Sequence, residues 1–522
     1  MKMLKKGARL RKKEVPYASD VPIVEATPDS SGLQVVPGQF TQGPHEIRSM
    51  SLSSHGETVV ASPHTRPYGF KEHVDSYDGR ETAPPLTALQ KEDRKCGMNK
   101  RRFFILIACI IIAIISLALG LGLGLGLSND SNNDKANSFC QDNTELCVGG
   151  AISPAYVSKK GAFNGSGIAL AGESWNKNQR RIFTLFFQHH TGEIRYMQFG
   201  NDQQWIGGTK SQIAATDAKD ASPISAVSYY INSTAYVHVF YIDRNNTVKQ
   251  ATHNNDTDMW EKGAINDLNL KAFDSPSVGL QACWAGDYYG DDKYTGLSTP
   301  SDLNTTNTTK PSDSPKGMNI WFATDVNTFQ QYSWRAGSNN NKWKKEEAWK
   351  NLNGRSGVAC FSWKPNSTDT YAMMNTPSNT VQFYWKDTNP KLNSTKDHPI
   401  NQWTKAASAD IANVHPITSL GYTKYFYAQM RDRTIKGFNI NYAAENTTFN
   451  EHDSFFVSDP AGPVKALGGT HLTVTKYTQQ RDGKEFNYLY VFCQTKGDDI
   501  MAFVRDETQG QWSAAPLNIL ND

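Results

Sequence analysis

Few residues in this chain could support metal-dependent or hydrolytic chemistry. Asp256 and Asp258 form an Asp-x-Asp pair, the pattern with which Golgi glycosyltransferases often hold a metal ion. The pair lies in a predicted loop and overlaps the sequon at Asn255, which favours a solvated turn. No Gly-x-Ser-x-Gly nucleophile motif is present. The predicted innermost strands carry almost no carboxylates, Glu173 excepted, so a glycosidase is not expected. The sequence therefore predicts a protein that is not an enzyme.

The seven cysteines indicate structural roles and neither a metal nor a cofactor. None of them has the Cys-x-x-Cys or Cys/His spacing of a metal site. Cys140 and Cys147 enclose a short loop and are predicted to form a disulfide in an oxidising compartment. Cys96, beside a basic stretch, is either palmitoylated or an unmodified thiol, and Cys109 is expected to pack as an apolar residue. The other three are expected on inner or core strands, with at least one unpaired among them: Cys283, Cys360 and Cys493.

Asparagine glycosylation is the modification that the sequence indicates. Every Asn-x-Ser/Thr sequon follows residue 127, and several fall in predicted turns, where a glycan is tolerated. Asn129 is expected to lie too close to a bilayer to be modified. The remaining candidates are Asn164, Asn232, Asn245, Asn255, Asn304, Asn307, Asn366, Asn393 and Asn446.

The N-terminal part of the chain is unlike the rest. Residues 1–102 contain no Trp and many Ser, Pro and Gly, and they are predicted to form a disordered cytoplasmic tail. Residues 103–127 carry no charge, and as a helix of about 37 Å they would cross a bilayer. Basic residues precede this run and acidic residues follow it. The sequence therefore predicts a type II membrane protein of the plasma membrane or secretory pathway, with the C-terminal part extracellular or lumenal.

Two further features belong to this membrane interpretation. The glycines of Gly120–Leu127 have the small-xxx-small spacing that lets transmembrane helices approach, which would allow a homodimer through the span. Residues 128–162 are predicted to form a stem.

A hairpin pattern that recurs six times after residue 180 predicts the fold. Each copy has an apolar strand, a short polar turn, a second strand opening on Ile, Val or Phe, and an aromatic residue downstream. One small sheet cannot bury both of its faces, whereas a ring of sheets can. The sequence thus predicts an all-β, six-bladed β-propeller over residues 163–522. The second strand of each hairpin begins 52 to 81 residues after that of the preceding copy. These first residues are Ile194, Val248, Phe329, Val381, Ile435 and Ile500.

Each predicted blade has an innermost strand of small apolar residues, the hairpin, and an outermost strand that starts at the downstream aromatic. That aromatic is expected to wedge between neighbouring blades. The long third copy contains a loop insertion, Asp287–Lys316. The predicted innermost strands are Gly165–Ser174, Pro223–Tyr230, Pro276–Cys283, Gly354–Phe361, Pro416–Tyr422 and Pro463–Gly468. The predicted wedges are Trp205, Trp260, Trp343, Trp403, Phe455 or Phe456, and Trp512.

The chain resembles the fungal fucose-specific lectins. The shared features are the number and length of the repeats, the aromatic hairpin in each repeat and the Trp that follows the hairpin. The resemblance covers about residues 163–522 and implies a six-bladed propeller with sugar sites between adjacent blades. The family's site uses an Arg at the second position of the second strand and a Glu twelve residues later, with an aromatic from the next blade. Twelve residues across this turn predict cross-strand neighbours that reach one pocket. The corresponding residues here are Thr184/Tyr196, His238/Gln250, Asn319/Gln331, Tyr371/Phe383, Tyr425/Gly437 and Tyr490/Ala502.

None of these twelve residues is the charged residue that the family uses. Because charge-assisted hydrogen bonds are about twice as strong as neutral ones, ordinary fucose affinity is not expected. His238/Gln250 and Asn319/Gln331 are candidates to bind a different sugar; alternatively, they are polar residues that face solvent at a blade rim. The Tyr and Phe residues are expected to serve packing.

The resemblance implies a lectin-like propeller that binds a glycan or glycoprotein, and the apolar run adds the membrane tether, which is not part of the simple soluble form of that family. The second hypothesis is a protein-interaction scaffold of the cell surface or secretory pathway that has lost sugar binding. Neither hypothesis involves a cofactor or nucleic acid.

Overall fold

The computed structural model describes residues 139–148, 157–172, 174–176, 179–200, 202–231, 234–285, 317–335, 342–362, 368–423, 425–481 and 484–522. The predicted cytoplasmic tail, the apolar run 103–127, most of the predicted stem and the whole of the insertion Asp287–Lys316 lie outside these ranges. Within the ranges, none of the helices has both the length and the apolar character needed to cross a bilayer.

Six antiparallel sheets follow one another along the described chain, and in each the four strands pair in chain order. We number these sheets as blades 1 to 6, and the strands of a blade run from the first, innermost strand to the fourth, outermost one. Blade 1 contains Ile168–Ala171, Phe183–Gln188, Ile194–Phe199 and Trp205–Gly207, and Ile213–Ala215 also pairs with its third strand. Blade 2 contains Ile224–Ile231, Thr234–Ile242, Val248–Asn254 and Trp260–Lys262. Blade 3 contains Leu280–Ala285, Gly317–Asp325, Thr328–Arg335 and Lys344–Lys350.

The second half of the ring repeats the same arrangement. Blade 4 contains Val358–Ser362, Asp369–Asn375, Val381–Asp387 and Thr404–Ile411. Blade 5 contains Leu420–Tyr422, Phe426–Gln429, Ile435–Asn441 and Thr448–Phe456, and blade 6 contains Leu472–Arg481, Lys484–Cys493, Met501–Asp506 and Trp512–Pro516. Short two-stranded sheets pair Ser174–Asn176 with Gln179–Arg181 and Ser458–Asp459 with Gly462–Pro463. The described part of the chain also contains the short 3-10 helices Thr144–Leu146, Ala264–Leu268 and Ala444–Asn446.

The strands are buried as a stack of blades requires. In blade 4, the third strand alternates between buried residues, such as Phe383 and Trp385, and partly exposed ones. The second strand of blade 1, Phe183–Gln188, is buried at every position. A strand with neighbouring blades on both of its faces has no solvent side, so its sequence is apolar almost throughout.

The six inner strands close into a ring. Each inner strand contacts that of the next blade, and the inner strand of blade 6 contacts that of blade 1. Each blade is built from one continuous stretch of chain, so no strand is shared between the first blade and the last. The predicted six-bladed propeller is confirmed.

Three glutamines at the end of a second strand fasten one blade to the loop that leads into the next. Gln494 of blade 6 donates from Nε2 to Phe163 O at 3.0 Å and accepts from Gly165 N at 2.9 Å. Gln429 of blade 5 binds the loop before blade 6 in the same way. Gln188 of blade 1 donates to the loop before blade 2. These bonds run across blade boundaries, including the boundary at which the ring closes.

The predicted aromatic wedges pack on the preceding blade in most copies. The ring centroids of Trp260 and Phe186 are 5.8 Å apart, and those of Trp205 and Phe492 are 5.7 Å apart across the closure of the ring. Trp343 lies 5.8 Å from Phe240 in the same arrangement. The corresponding pairs at blades 4 and 6 are Trp403 with Trp321 and Trp512 with Phe455.

Two predicted elements were wrong. The inner strand of blade 6 is Leu472–Arg481, whereas the predicted segment Pro463–Gly468 precedes it and begins in a short hairpin. Proline has no backbone N–H to donate, so it suits that edge better than an inner strand. In blade 5, Phe455 and Phe456 end the outermost strand, and Phe449 near its start packs against the core between blades 4 and 5.

Two disulfides are present among the described residues. Cys140 bonds to Cys147, as predicted, and Cys283 bonds to Cys360, which joins the inner strands of blades 3 and 4. Cys493 is the buried, unpaired member of the second group.

The segment 139–148, which contains the first disulfide, packs on the propeller close to its axis. Val148 is 3% exposed, and its methyl groups lie so close to Gly165 and Gly469 that a Cβ at either glycine would be 2.7–3.0 Å away. At the other end of the segment, the Arg355 guanidinium lies 5.3 Å from the centroid of the Phe139 ring. Gly165 precedes blade 1 and Arg355 precedes blade 4, on opposite sides of a six-bladed ring. Ten residues can touch both sides only by crossing the central channel, so this segment covers one mouth of the channel.

Candidate functional site

The two predicted polar pairs come together, but diagonally and not directly across the hairpin. In blade 2, His238 is paired in register with Thr252, and Gln250 with Phe240. Gln250 Nε2 nevertheless lies 2.8 Å from His238 Nδ1. The offset arises because a separation of twelve residues across this turn ends two positions short of the opposite residue.

Both members of the blade 2 pair are buried, at 6% exposure for His238 and 3% for Gln250. His238 Nε2 is 2.9 Å from the hydroxyl of Tyr229, and Gln250 Oε1 accepts from Ile265 N at 3.3 Å. Burial lowers the pKa of His238 to about 3, so the imidazole is neutral near pH 7. The hydrogen-bonding groups of this pair are therefore satisfied within the protein.

The blade 3 pair is arranged in a similar way. Gln331 Nε2 donates to Asn319 Oδ1 at 3.3 Å, and Gln331 Oε1 accepts from Trp349 Nε1 at 3.2 Å. Both side chains are buried, so they do not face solvent at a rim.

The other family positions serve packing where they are aromatic. Tyr196 lies 5.8 Å from Trp260 of the next blade, between ring centroids. The Tyr371 hydroxyl accepts from Ala444 N at 2.9 Å, and Phe383 is fully buried. Aromatic side chains therefore occupy space between blades that a ligand would need.

The Asp-x-Asp pair lies in a turn after the third strand of blade 2. Asp256 accepts from the Thr234 hydroxyl at 2.8 Å, and Asp258 Oδ1 is 3.2 Å from His253 Nε2. In the part of the chain that the structure describes, no three His, Cys, Asp or Glu residues are grouped so that they could hold a metal ion. The two aspartates stabilise the turn.

An aromatic cluster between blades 2 and 3 was not predicted from the sequence. Trp284, at the end of the inner strand of blade 3, stacks on Tyr229 of blade 2 with 4.3 Å between ring centroids and 19° between planes. Tyr236 and Trp334 stack on the same Tyr229 at 5.2 and 6.1 Å. Tyr229 is buried, whereas the other three are partly exposed. A large aromatic at the end of an inner strand, where small residues are the rule, is the signal that could have indicated it.

The predicted sequons differ in accessibility. Asn245, Asn393 and Asn446 are exposed, Asn255 is partly buried, and its Oδ1 accepts from Ala235 N at 2.8 Å. Asn164 is buried beside Gly497. The remaining candidates lie outside the described residues: Asn232, Asn304, Asn307 and Asn366.

Comparison with known proteins gives one relative in sequence and several in structure. No family model matches the chain. A fucose-specific lectin of Aleuria aurantia is 29% identical over 118 residues, which cover 22% of this chain and 36% of that lectin, so the match spans little more than a third of the relative. A variant of Aleuria aurantia lectin in complex with α-methyl-L-fucoside has a TM-score of 0.50 at 14% identity, over 70% of this chain and 98% of the lectin. A mercury derivative of the fucose-specific lectin from the same fungus has a TM-score of 0.50 at 15% identity, over 70% of this chain and 99% of that lectin.

Proposed function

This chain is related in sequence and in fold to the fucose-specific lectins, and we propose that its propeller binds a glycan or a glycoprotein. The observation that carries the proposal is the aromatic cluster between blades 2 and 3, in which Trp284 stacks on the buried Tyr229. The cluster adjoins His238 through the Tyr229 hydroxyl, and so lies beside one of the family's between-blade positions. We propose a binding role without catalysis.

Partly exposed aromatic rings suit a sugar for a simple reason. One face of a sugar ring presents C–H bonds that pack on an aromatic face, and aromatic residues bring much contact area to a binding site. In the proposed site, Trp284, Trp334 and Tyr236 contact the ligand. His238 and Gln250 hold Tyr229 in place beneath them. With neutral groups where the relatives use charge, we expect weaker binding than a charged fucose site provides.

We also propose that residues 103–127 tether the propeller to a membrane, with the propeller outside the cytoplasm. The absence of charge over the whole run and the basic residues before it support this proposal. A homodimer through Gly120–Leu127 is part of the same proposal.

The experiment is a glycan array probed with the full chain in a mild detergent, beside its Trp284→Ala variant. Truncating the Trp at the centre of the cluster should weaken binding by at least about tenfold. The matched control is Phe456→Ala, which removes an exposed aromatic from blade 5. No binding to any sugar, or equal binding by the Trp284→Ala variant, would refute the proposal.

The second candidate function is a protein-interaction scaffold. It is favoured because the positions that correspond to the sugar-binding residues of the fucose-specific lectins hold buried or internally hydrogen-bonded side chains. It predicts that a purified partner binds equally well before and after its glycans are removed enzymatically. Loss of binding on deglycosylation would instead support the lectin.

A further inference from the structure

The groove between blades 3 and 4 collects cationic side chains. Arg335 ends the third strand of blade 3, and Lys344 begins the fourth strand of that blade. Lys386 lies near the end of the third strand of blade 4. Two carboxylates lie near them: Glu346, whose Oε1 is 3.4 Å from Lys344 Nζ and accepts from the Ser333 hydroxyl at 2.6 Å, and Glu347, whose charge acts on Lys386.

These groups belong to the two faces that form the groove. On the third strand of blade 4, Gln382, Tyr384 and Lys386 alternate with buried residues and lie on one face. Tyr384 packs on Trp349 of blade 3 with 5.2 Å between ring centroids, so this face looks toward blade 3. Lys386 therefore points into the groove.

Arg335 and Lys386 are partly buried near each other, which disfavours their charged forms. Burial lowers the pKa of Arg335, and the charge of Glu346 offsets this effect only in part. The pKa of Lys386 is lowered by burial and then by the charge of Arg335, against smaller opposing effects of Glu346 and Glu347. Partly dehydrated cations that repel each other are stabilised by an added negative charge.

The groove is next to the aromatic cluster between blades 2 and 3. Arg335 follows Trp334 directly in the chain, and its Nη1 donates to Trp334 O at 3.3 Å. Successive residues of a strand point to opposite faces, so Trp334 faces blade 2 and Arg335 faces blade 4. A ligand longer than one sugar could cross the edge of blade 3 and contact both.

We propose that the groove between blades 3 and 4 binds the carboxylate or phosphate group of an acidic oligosaccharide whose neutral ring lies on the aromatic cluster. Arg335 donates two parallel hydrogen bonds to the oxyanion, and Lys386 adds a point charge from the facing blade. The cationic residues of this site, Arg335 and Lys386, thus occupy positions other than those that carry charge in the related lectins. This inference rests on the proposed glycan binding and adds the class of ligand.

The test uses the full chain in detergent and three labelled probes with one common neutral core. One probe ends in glucuronate, one in a 6-phosphorylated hexose, and one is neutral. We expect the better acidic probe to bind at least about tenfold more tightly than the neutral probe, with an advantage that shrinks as salt is raised. The two acidic probes tell which oxyanion is preferred.

Arg335→Gln and Lys386→Gln should each remove most of this advantage and leave the affinity for the neutral probe unchanged. Lys350→Gln, an exposed charge at the far end of the fourth strand of blade 3, is the control and should change neither. Equal melting temperatures verify that the variants fold. If both acidic probes bind no better than the neutral one, or if the variants weaken all three probes alike, the inference is refuted while glycan binding stands. If no probe binds but inorganic phosphate binds in an Arg335-dependent way, the anion site stands and the glycan proposal fails.

Discussion

Replacing Gln494 by Met should weaken the propeller at the boundary where its ring closes. Met keeps the length of the side chain but removes its three hydrogen bonds. Those bonds run to Phe163 O at 3.0 Å, to Gly497 O at 2.7 Å and from Gly165 N at 2.9 Å, and Gln494 is fully buried.

The three losses are not equal. Phe163 O keeps a bond from Ser166 N, and Gly497 O keeps one from the Ser158 hydroxyl. The N–H of Gly165 would be left buried without an acceptor, which costs about 1–3 kcal/mol. With smaller losses at the two carbonyls, the free energy of unfolding should fall by about 2–4 kcal/mol.

Gln188 provides a matched control within the same chain. Its Nε2 donates to Gly192 O and Lys219 O, but its Oε1 is buried without a partner among the described residues. Gln188→Met therefore leaves no N–H without an acceptor and should cost only about 1 kcal/mol. Gln429→Met, which leaves Gly469 N without its acceptor, should match Gln494→Met.

The measurement is urea unfolding followed by Trp fluorescence, which reports on the propeller because all 12 Trp follow residue 170. The expected order of destabilisation is Gln494→Met and Gln429→Met together, well ahead of Gln188→Met. If all three variants lose the same free energy of unfolding, the buried N–H of Gly165 or Gly469 does not decide the size of the loss, and the reasoning is wrong.

Three other outcomes are expected. Replacing Cys140 and Cys147 by Ser should lower the free energy of unfolding by up to about 2–3 kcal/mol, and a limited-proteolysis time course should then show earlier cleavage near residue 148; unchanged cleavage would contradict a disulfide-held cover. The hydrogen bond to Asp387 raises the pKa of His398, so its contribution is complete below the usual 6.5 and is lost as pH rises through the raised value. His398→Gln should therefore destabilise by less than about 1 kcal/mol at pH 5.5 and by still less at pH 8.5, and the opposite order in urea titrations would refute this. Peptide mapping should find Asn164 unmodified in folded protein and glycans at the exposed sequons Asn245, Asn393 and Asn446.

Much of the fold could be predicted because its signals are local. The alternation and the turns of each hairpin lie within about fifteen residues, and five of the six wedge aromatics could be assigned from the Trp that follows each hairpin. The inner strand of blade 6 could not be assigned, since Pro463–Gly468 has the small apolar residues expected of an inner strand, whereas Leu472–Arg481 is mostly polar and is distinguished only by its pairing with Lys484–Cys493.

The candidate site was less predictable. The separation of twelve residues correctly predicted that His238 lies near Gln250. The burial of these two side chains was not predictable, because it depends on Tyr229 and the helix Ala264–Leu268, which lie outside the hairpin. The aromatic cluster and the cationic groove join side chains from two blades. Their members are far apart in the chain: Tyr229 and Trp284 are separated by 55 residues, and Arg335 and Lys386 by 51.

By itself, the sequence determined that six similar sheets follow one another and that five of them carry a tryptophan for the interface with the preceding blade, since a strand's period and its turn are properties of neighbouring residues. Only the tertiary structure decided which polar side chains are covered, how Gln494 closes the ring, and that the Cys140–Cys147 segment crosses the channel. Those features depend on the curvature of the closed ring, which brings residues such as Gly165 and Gln494 within 2.9 Å.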